Sequence, residues 1–151
     1  MMMMPAIPFH DLVGIDVTVE SDGTSRVSAP DTPKLKNHLG TMHGGMIFTL
    51  GEVAAAVSLT ALLGRQLVDL RAITQSATIK YLKPARGAIS ARGKVEMTAD
   101  EIVLASKSQP SLTVPIAVVL EDSAGVVVAT LRVEWFVAER KERSGELSRS
   151  N

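Results

Sequence analysis

The feature that most limits what this chain can fold into is the run from Gly44 to Gly64, where Glu52 is the only formally charged side chain. A segment of that length and polarity suits either a bilayer or the interior of a domain. The bilayer is disfavoured: a carboxylate near mid-span is costly in lipid, Gly44, Gly45 and Gly51 weaken the run, and the rest of the chain alternates like half-buried strands. The run therefore predicts a buried helix over about Gly44 to Leu63, with Gly64 as its stop and Arg65 where a cation suits the helix dipole. Ala54, Ala55, Ala56, Ser58 and Ala61 make its second half thin, so that a sheet or a second helix can approach its backbone closely. Only 3% of residues are aromatic, so the core around it has to be aliphatic.

The other segments supply a sheet. Gly14 to Glu20 and Thr24 to Ser28 predict a hairpin across Ser21-Asp22-Gly23. Pro30 and Pro33 then break regular structure, and a polar loop through Lys36, Asn37, His38 and Gly40 leads into the helix. Leu70 to Leu82 reads as a long strand ended by Pro84, and Ala88 to Glu96 as the next. Met97 to Leu112 reads as a hairpin extension or insertion, since Ile102-Val103-Leu104 is strand-like and Ser106 to Ser111 loop-like. Val114 to Leu120 and Val126 to Val137 are strands joined through Glu121-Asp122-Ser123-Ala124-Gly125. This order implies one α+β domain over residues 1–137, an antiparallel sheet packed on a single helix. From Ala138 the sequence turns charged and then Ser-rich, so residues 138–151 are expected to be a disordered tail.

Composition removes several functions. Lysine plus arginine equals aspartate plus glutamate, 16 against 16, so no global field draws the chain to nucleic acid or to an anionic membrane. The absence of cysteine excludes disulfides, thiolate metal sites and a cysteine nucleophile. No metal and no separate cofactor are expected. Met1 to Phe9 lacks the cationic and apolar regions of a secretory signal, which makes the cytoplasm the expected location.

Two features remain that bear on chemistry. A helix that excludes every other charge yet accepts Glu52 needs a reason, because an unpaired buried carboxylate is expensive. Either Glu52 sits at an edge or is satisfied by a neighbouring amide, or it is a general base or nucleophile. The second feature is His43-Gly44-Gly45 at the helix start, where unpaired N–H groups and the positive dipole end favour an oxyanion or a phosphate. A tight turn with a local histidine cap explains the same residues without any ligand. Gly45 and Glu52 lie seven residues apart, so they share a helix face but stand roughly 10 Å apart along the axis. One helix cannot bring both to one carbonyl; two antiparallel helices across a two-fold interface can.

Asn37, then His43-Gly44-Gly45, then Leu50-Gly51-Glu52 in an Ala-rich helix resembles the hotdog-fold acyl-CoA thioesterases, in particular their phenylacetate-pathway (PaaI-like) branch. Tyr81-Leu82-Lys83-Pro84-Ala85 is similar to the same family, and the resemblance covers about Phe9 to Val137. It implies a curved antiparallel sheet wrapped around one long central helix, dimers joined through edge strands, and further pairing into tetramers as a dimer of dimers. It also implies an acyl- or aryl-CoA substrate, coenzyme A being part of that substrate. By position, Gly44 or Gly45 would donate to the thioester carbonyl, Asn37 and His43 would orient the substrate or the attacking water, and Glu52 would come from the partner subunit. Thr74 matches a position that often carries a hydroxyl holding the water or the acid. Lys80, Lys83 and Arg86 are placed to meet the nucleotide end of coenzyme A, although a solvated basic edge accounts for them equally. The same scaffold would also serve a non-catalytic acyl-CoA-binding domain, or a hydratase or dehydratase.

Overall fold

The computed structural model describes residues 6–21 and 24–141. A short helix α1, Pro8–Val13, precedes strands β1 (Asp16–Val19) and β2 (Ser25–Ala29), and helix α2 follows over Gly44–Leu63. Next come β3 (Leu70–Tyr81), β4 (Ile89–Val95), helix α3 (Ala99–Ser108), β5 (Leu112–Asp122) and β6 (Val127–Glu139). The six strands form one antiparallel sheet in the order β1-β2-β4-β5-β6-β3. The architecture is α+β, with α2 laid on one face of the sheet. The expected helix and the expected strands are all present. Of the predicted hairpin turn, Asp22 and Gly23 lie outside the described residues. The β6 strand continues to Glu139, and most of the expected tail, residues 142–151, likewise lies outside them.

Alternation fixes which side of the sheet meets α2. Along β5, Leu112, Val114, Ile116, Val118 and Leu120 are buried, and their β6 counterparts Ala129, Leu131, Val133 and Val137 are buried with them. This face carries the core, which Leu50, Val53, Ala55 and Leu59 of α2 complete, each at most 2% exposed. The thin second half of the helix works as its composition implied. A side chain on Gly93 of β4 would stand 2.6 Å from Ser58 Oγ and 2.8 Å from the Ala54 carbonyl oxygen, so sheet and helix touch almost backbone to backbone. Gly64 ends α2 at φ 53°, a left-handed value that favours glycine.

By length and composition alone, Gly44–Asp69 could cross a membrane. Here its α2 portion is the core helix on which the sheet packs, with Glu52 turned towards β3.

One expectation is corrected. The segment after β4 is an insertion between the paired strands β4 and β5, not an extension of their hairpin. Its expected strand-like and loop-like parts form instead the helix α3, which packs on β5 and β6 and buries Ile102 and Ser106. Its start is a capping box: the Glu101 N–H donates to Thr98 Oγ1 at 3.2 Å and the Thr98 N–H to Glu101 Oε2 at 2.8 Å. Thr98-Ala99-Asp100-Glu101 spells this motif in the sequence, and the β-branched Ile102-Val103 that follow it also suit a strand.

Candidate active site

The loop before α2 is held by its own side chains. The Asn37 N–H donates to the Thr41 carbonyl at 2.8 Å. Asn37 Oδ1 accepts the N–H groups of Leu39 at 2.9 Å and Thr41 at 3.2 Å, and Asn37 Nδ2 donates to Thr41 Oγ1 at 2.9 Å. The Met42 N–H then reaches the Ala85 carbonyl and the His43 N–H the Leu35 carbonyl. Asn37 thus works first on its own loop, and the buried Thr41, which the sequence did not single out, is its partner.

Three of the first four N–H groups of α2 are already satisfied. Those of Met46 and Ile47 donate to the His43 carbonyl, and that of Gly45 donates to His43 Nδ1 at 2.9 Å. The Gly44 N–H alone has no partner among the described residues. Of the two glycines, Gly44 therefore keeps a free donor and Gly45 does not. His43 is the helix cap, and a neutral imidazole accepting at Nδ1 carries its proton on Nε2.

Each glycine also makes room for a ring. A side chain on Gly44 would meet the Tyr81 ring at 3.4 Å, and one on Gly45 would meet His43 Nδ1 at 3.0 Å. The Tyr81 hydroxyl donates to the Gly44 carbonyl at 3.1 Å. The last residue of β3 is thereby tied to the first residue of α2.

An open groove of about 360 Å³ runs beside this junction. Asn37, Thr41 and Gly44 line it together with apolar Leu39, Met42, Ile47, Leu82 and Pro84, with Tyr81 and Lys83 also on its wall. It is an apolar trough with one backbone N–H and few polar groups at its end, the composition typical of a small-molecule site.

Glu52 lies elsewhere in the same protomer. Eight residues beyond Gly44, it is roughly 12 Å further along the axis on the same helix face. It is half-buried rather than buried, and it is not unpaired: Thr74 Oγ1 donates to Glu52 Oε1 at 3.1 Å. The structure brings Glu52 and Thr74 together, brings Asn37, Gly44 and Lys83 together, and keeps the two groups apart. Both lie along the core-facing side of β3, where Thr74 pairs across from Trp135 and Tyr81 from Ala129. Between them Ala77 and Ile79 are only half-buried, because α2 does not fully cover this strand. Of the three cations, Lys83 lines the groove, Lys80 projects from the opposite face of β3 from Tyr81, and Arg86 lies outside the groove lining.

Known proteins share this architecture. A Bacillus halodurans protein solved with CoA superposes with a TM-score of 0.73 at 23% identity, covering 90% of this chain and 82% of its own. The PaaI protein of E. coli, from the phenylacetic acid degradation operon, gives 0.65 at 20% identity over 88% and 84%. Thioesterases are among the other matching structures, and the shared fold is the hotdog fold. A Halobacterium salinarum protein described as a candidate esterase is 34% identical over 86 residues, 55% of this chain and 56% of that protein. The chain thus spans about half the length of that curated relative. Over residues 1–137 the sequence matches the profile of a family described as a domain of unknown function, DUF4442, and the chain belongs to that family.

Proposed function

We propose that this protein hydrolyses an acyl- or aryl-CoA thioester at a site shared between two subunits. One observation carries the reading: among the described residues the one N–H at the start of α2 without a partner is that of Gly44, which lines an apolar groove, while the helix's single carboxylate is held two turns away on the same face. The thioester carbonyl accepts from the Gly44 N–H, whose dipole stabilises the charge that develops on oxygen. Glu52 of the partner subunit takes a proton from water, or attacks the carbonyl directly. The hydroxide so formed adds to the carbonyl carbon, and the tetrahedral intermediate expels the thiolate, a leaving group that needs little acid assistance, while the proton on Glu52 passes to the thiolate or to solvent. Where Glu52 itself attacks, loss of the thiolate leaves a mixed anhydride that a water then hydrolyses, and in either case the acid and coenzyme A depart. His43 and Asn37 hold the loop and helix start in place, and Lys83 at the groove offers a cation to a phosphate.

The shape of the protomer supports the pairing. β3 is a twelve-residue edge strand, and among the described residues its outer side pairs with nothing. A long edge of that kind invites a second strand, and two-fold pairing there would bring the incompletely covered faces of both copies together. The CoA-bound neighbour and the candidate esterase point to the same class of chemistry.

The test is complementation. Glu52→Gln and Gly44→Pro, which removes the N–H, should each lower thiol release from acyl- and aryl-CoA substrates by about 10²–10³-fold. Unfolded and refolded together, they should regain about a quarter of wild-type activity, since half the dimers carry one intact site of two. Failure of wild type on the whole panel would reject hydrolysis; failure of the mixture alone would reject the shared site.

A further inference from the structure

The peptide unit joining Gly44 to Gly45 is held at both ends. Its carbonyl accepts from the Tyr81 hydroxyl at 3.1 Å, and its N–H donates to His43 Nδ1 at 2.9 Å. The Tyr81 ring also lies in van der Waals contact range of a side chain on Gly44, and the His43 ring stands close against the position one on Gly45 would take. Glycine is the residue least restricted in φ and ψ, and two in succession at a helix end make the segment most prone to fray. The free Gly44 N–H belongs to the preceding peptide, whose His43 carbonyl accepts from Met46 and Ile47, so its direction is set by those bonds together with how the neighbouring Gly44–Gly45 unit is fixed.

We infer that Tyr81 is a positioning residue for the oxyanion donor: its hydroxyl and His43 clamp the Gly44–Gly45 peptide so that the Gly44 N–H points into the groove. The inference deepens the hydrolytic reading and rests on it for its catalytic consequence, though not for the clamp itself. A preorganised donor stabilises charge more in the transition state than in the ground state. Loss of the clamp therefore lowers kcat and leaves KM nearly unchanged. Tyr81 is 54% exposed, so water competes for its hydroxyl and the packing of its ring is a separate contribution.

Tyr81→Phe separates the two, because it keeps the ring against Gly44 and deletes only the donor. Two measurements on the full chain decide the matter, each accompanied by a check that the subunit assembly and thermal midpoint match wild type. Amide hydrogen exchange, read by NMR, should quicken several-fold at Gly45 while amides in the middle of α2 keep their wild-type rates. With an active substrate, kcat should fall about tenfold with KM within about twofold, the worth of one hydrogen bond. Tyr81→Leu, which removes ring and hydroxyl, should do no less. Unchanged exchange at Gly45 in Tyr81→Phe overturns the clamp, and faster exchange with wild-type kcat overturns its role in positioning. If wild type turns over none of the thioesters, hydrolysis fails on that result, the positioning role falls with it, and the exchange measurement still decides whether the clamp exists.

Discussion

If Thr74 acts only through Glu52, then removing its hydroxyl should matter only while the carboxylate is present. Thr74→Val replaces Oγ1 with a methyl group of similar size and leaves the backbone of β3 paired with β6 at Trp135. What is lost is one hydrogen bond of 3.1 Å to a carboxylate oxygen. A hydrogen bond to a charged group is worth about 1.5–3 kcal/mol. Because Thr74 is exposed and Glu52 half-buried in the protomer, water compensates in part and the low end of that range applies. About 1.4 kcal/mol corresponds to a tenfold change in kcat/KM. The assay is steady-state thiol release by wild type, Thr74→Val, Glu52→Gln and the double variant, arranged as a cycle. Expected is a tenfold loss for Thr74→Val in the wild-type background and no further loss in the Glu52→Gln background. Additive losses would mean that Thr74 meets the substrate or the water directly, and the reasoning from the hydroxyl–carboxylate contact would be refuted.

Other outcomes follow from packing. Leu50 is fully buried between α2 and the sheet, so Leu50→Ala should cost about 2–5 kcal/mol in denaturant unfolding. Gly93→Ala forces a methyl group against the Ala54 carbonyl oxygen, which cannot swing away; a loss of about 1–3 kcal/mol is expected, seen as a lower Tm. Thr98→Ala removes the α3 capping box and should cost about 1 kcal/mol while leaving thiol release at the wild-type rate.

The helix and strands were legible because their signals are long: a twenty-residue apolar helix, and strands of period two ended by proline or by turn residues. The separation of Glu52 from the glycines also followed from helix geometry alone. α3 was obscured because its only fully buried side chains are Ile102 and Ser106, too few for a helical period to stand out against a β-branched run. The choice between Gly44 and Gly45 depended on where the His43 ring nitrogen lies, which no spacing encodes. Tyr81 was visible as part of a motif, but its bond to a main-chain carbonyl depends on how the end of β3 meets the start of α2.

The covering of α2 also has a consequence in time. Of the strands packed on the helix, β2 precedes it in the chain, while β4, β5 and β6 follow it. During synthesis the Gly44–Leu63 segment therefore leaves the ribosome as a bilayer-length apolar stretch whose cover has mostly yet to be made. A single carboxylate at its centre costs about 2.5–3.5 kcal/mol on insertion into lipid, a penalty that weighs against the bilayer for as long as the sheet has yet to arrive. Glu52 would then guard the folding route of the very helix from which it is proposed to do its chemistry.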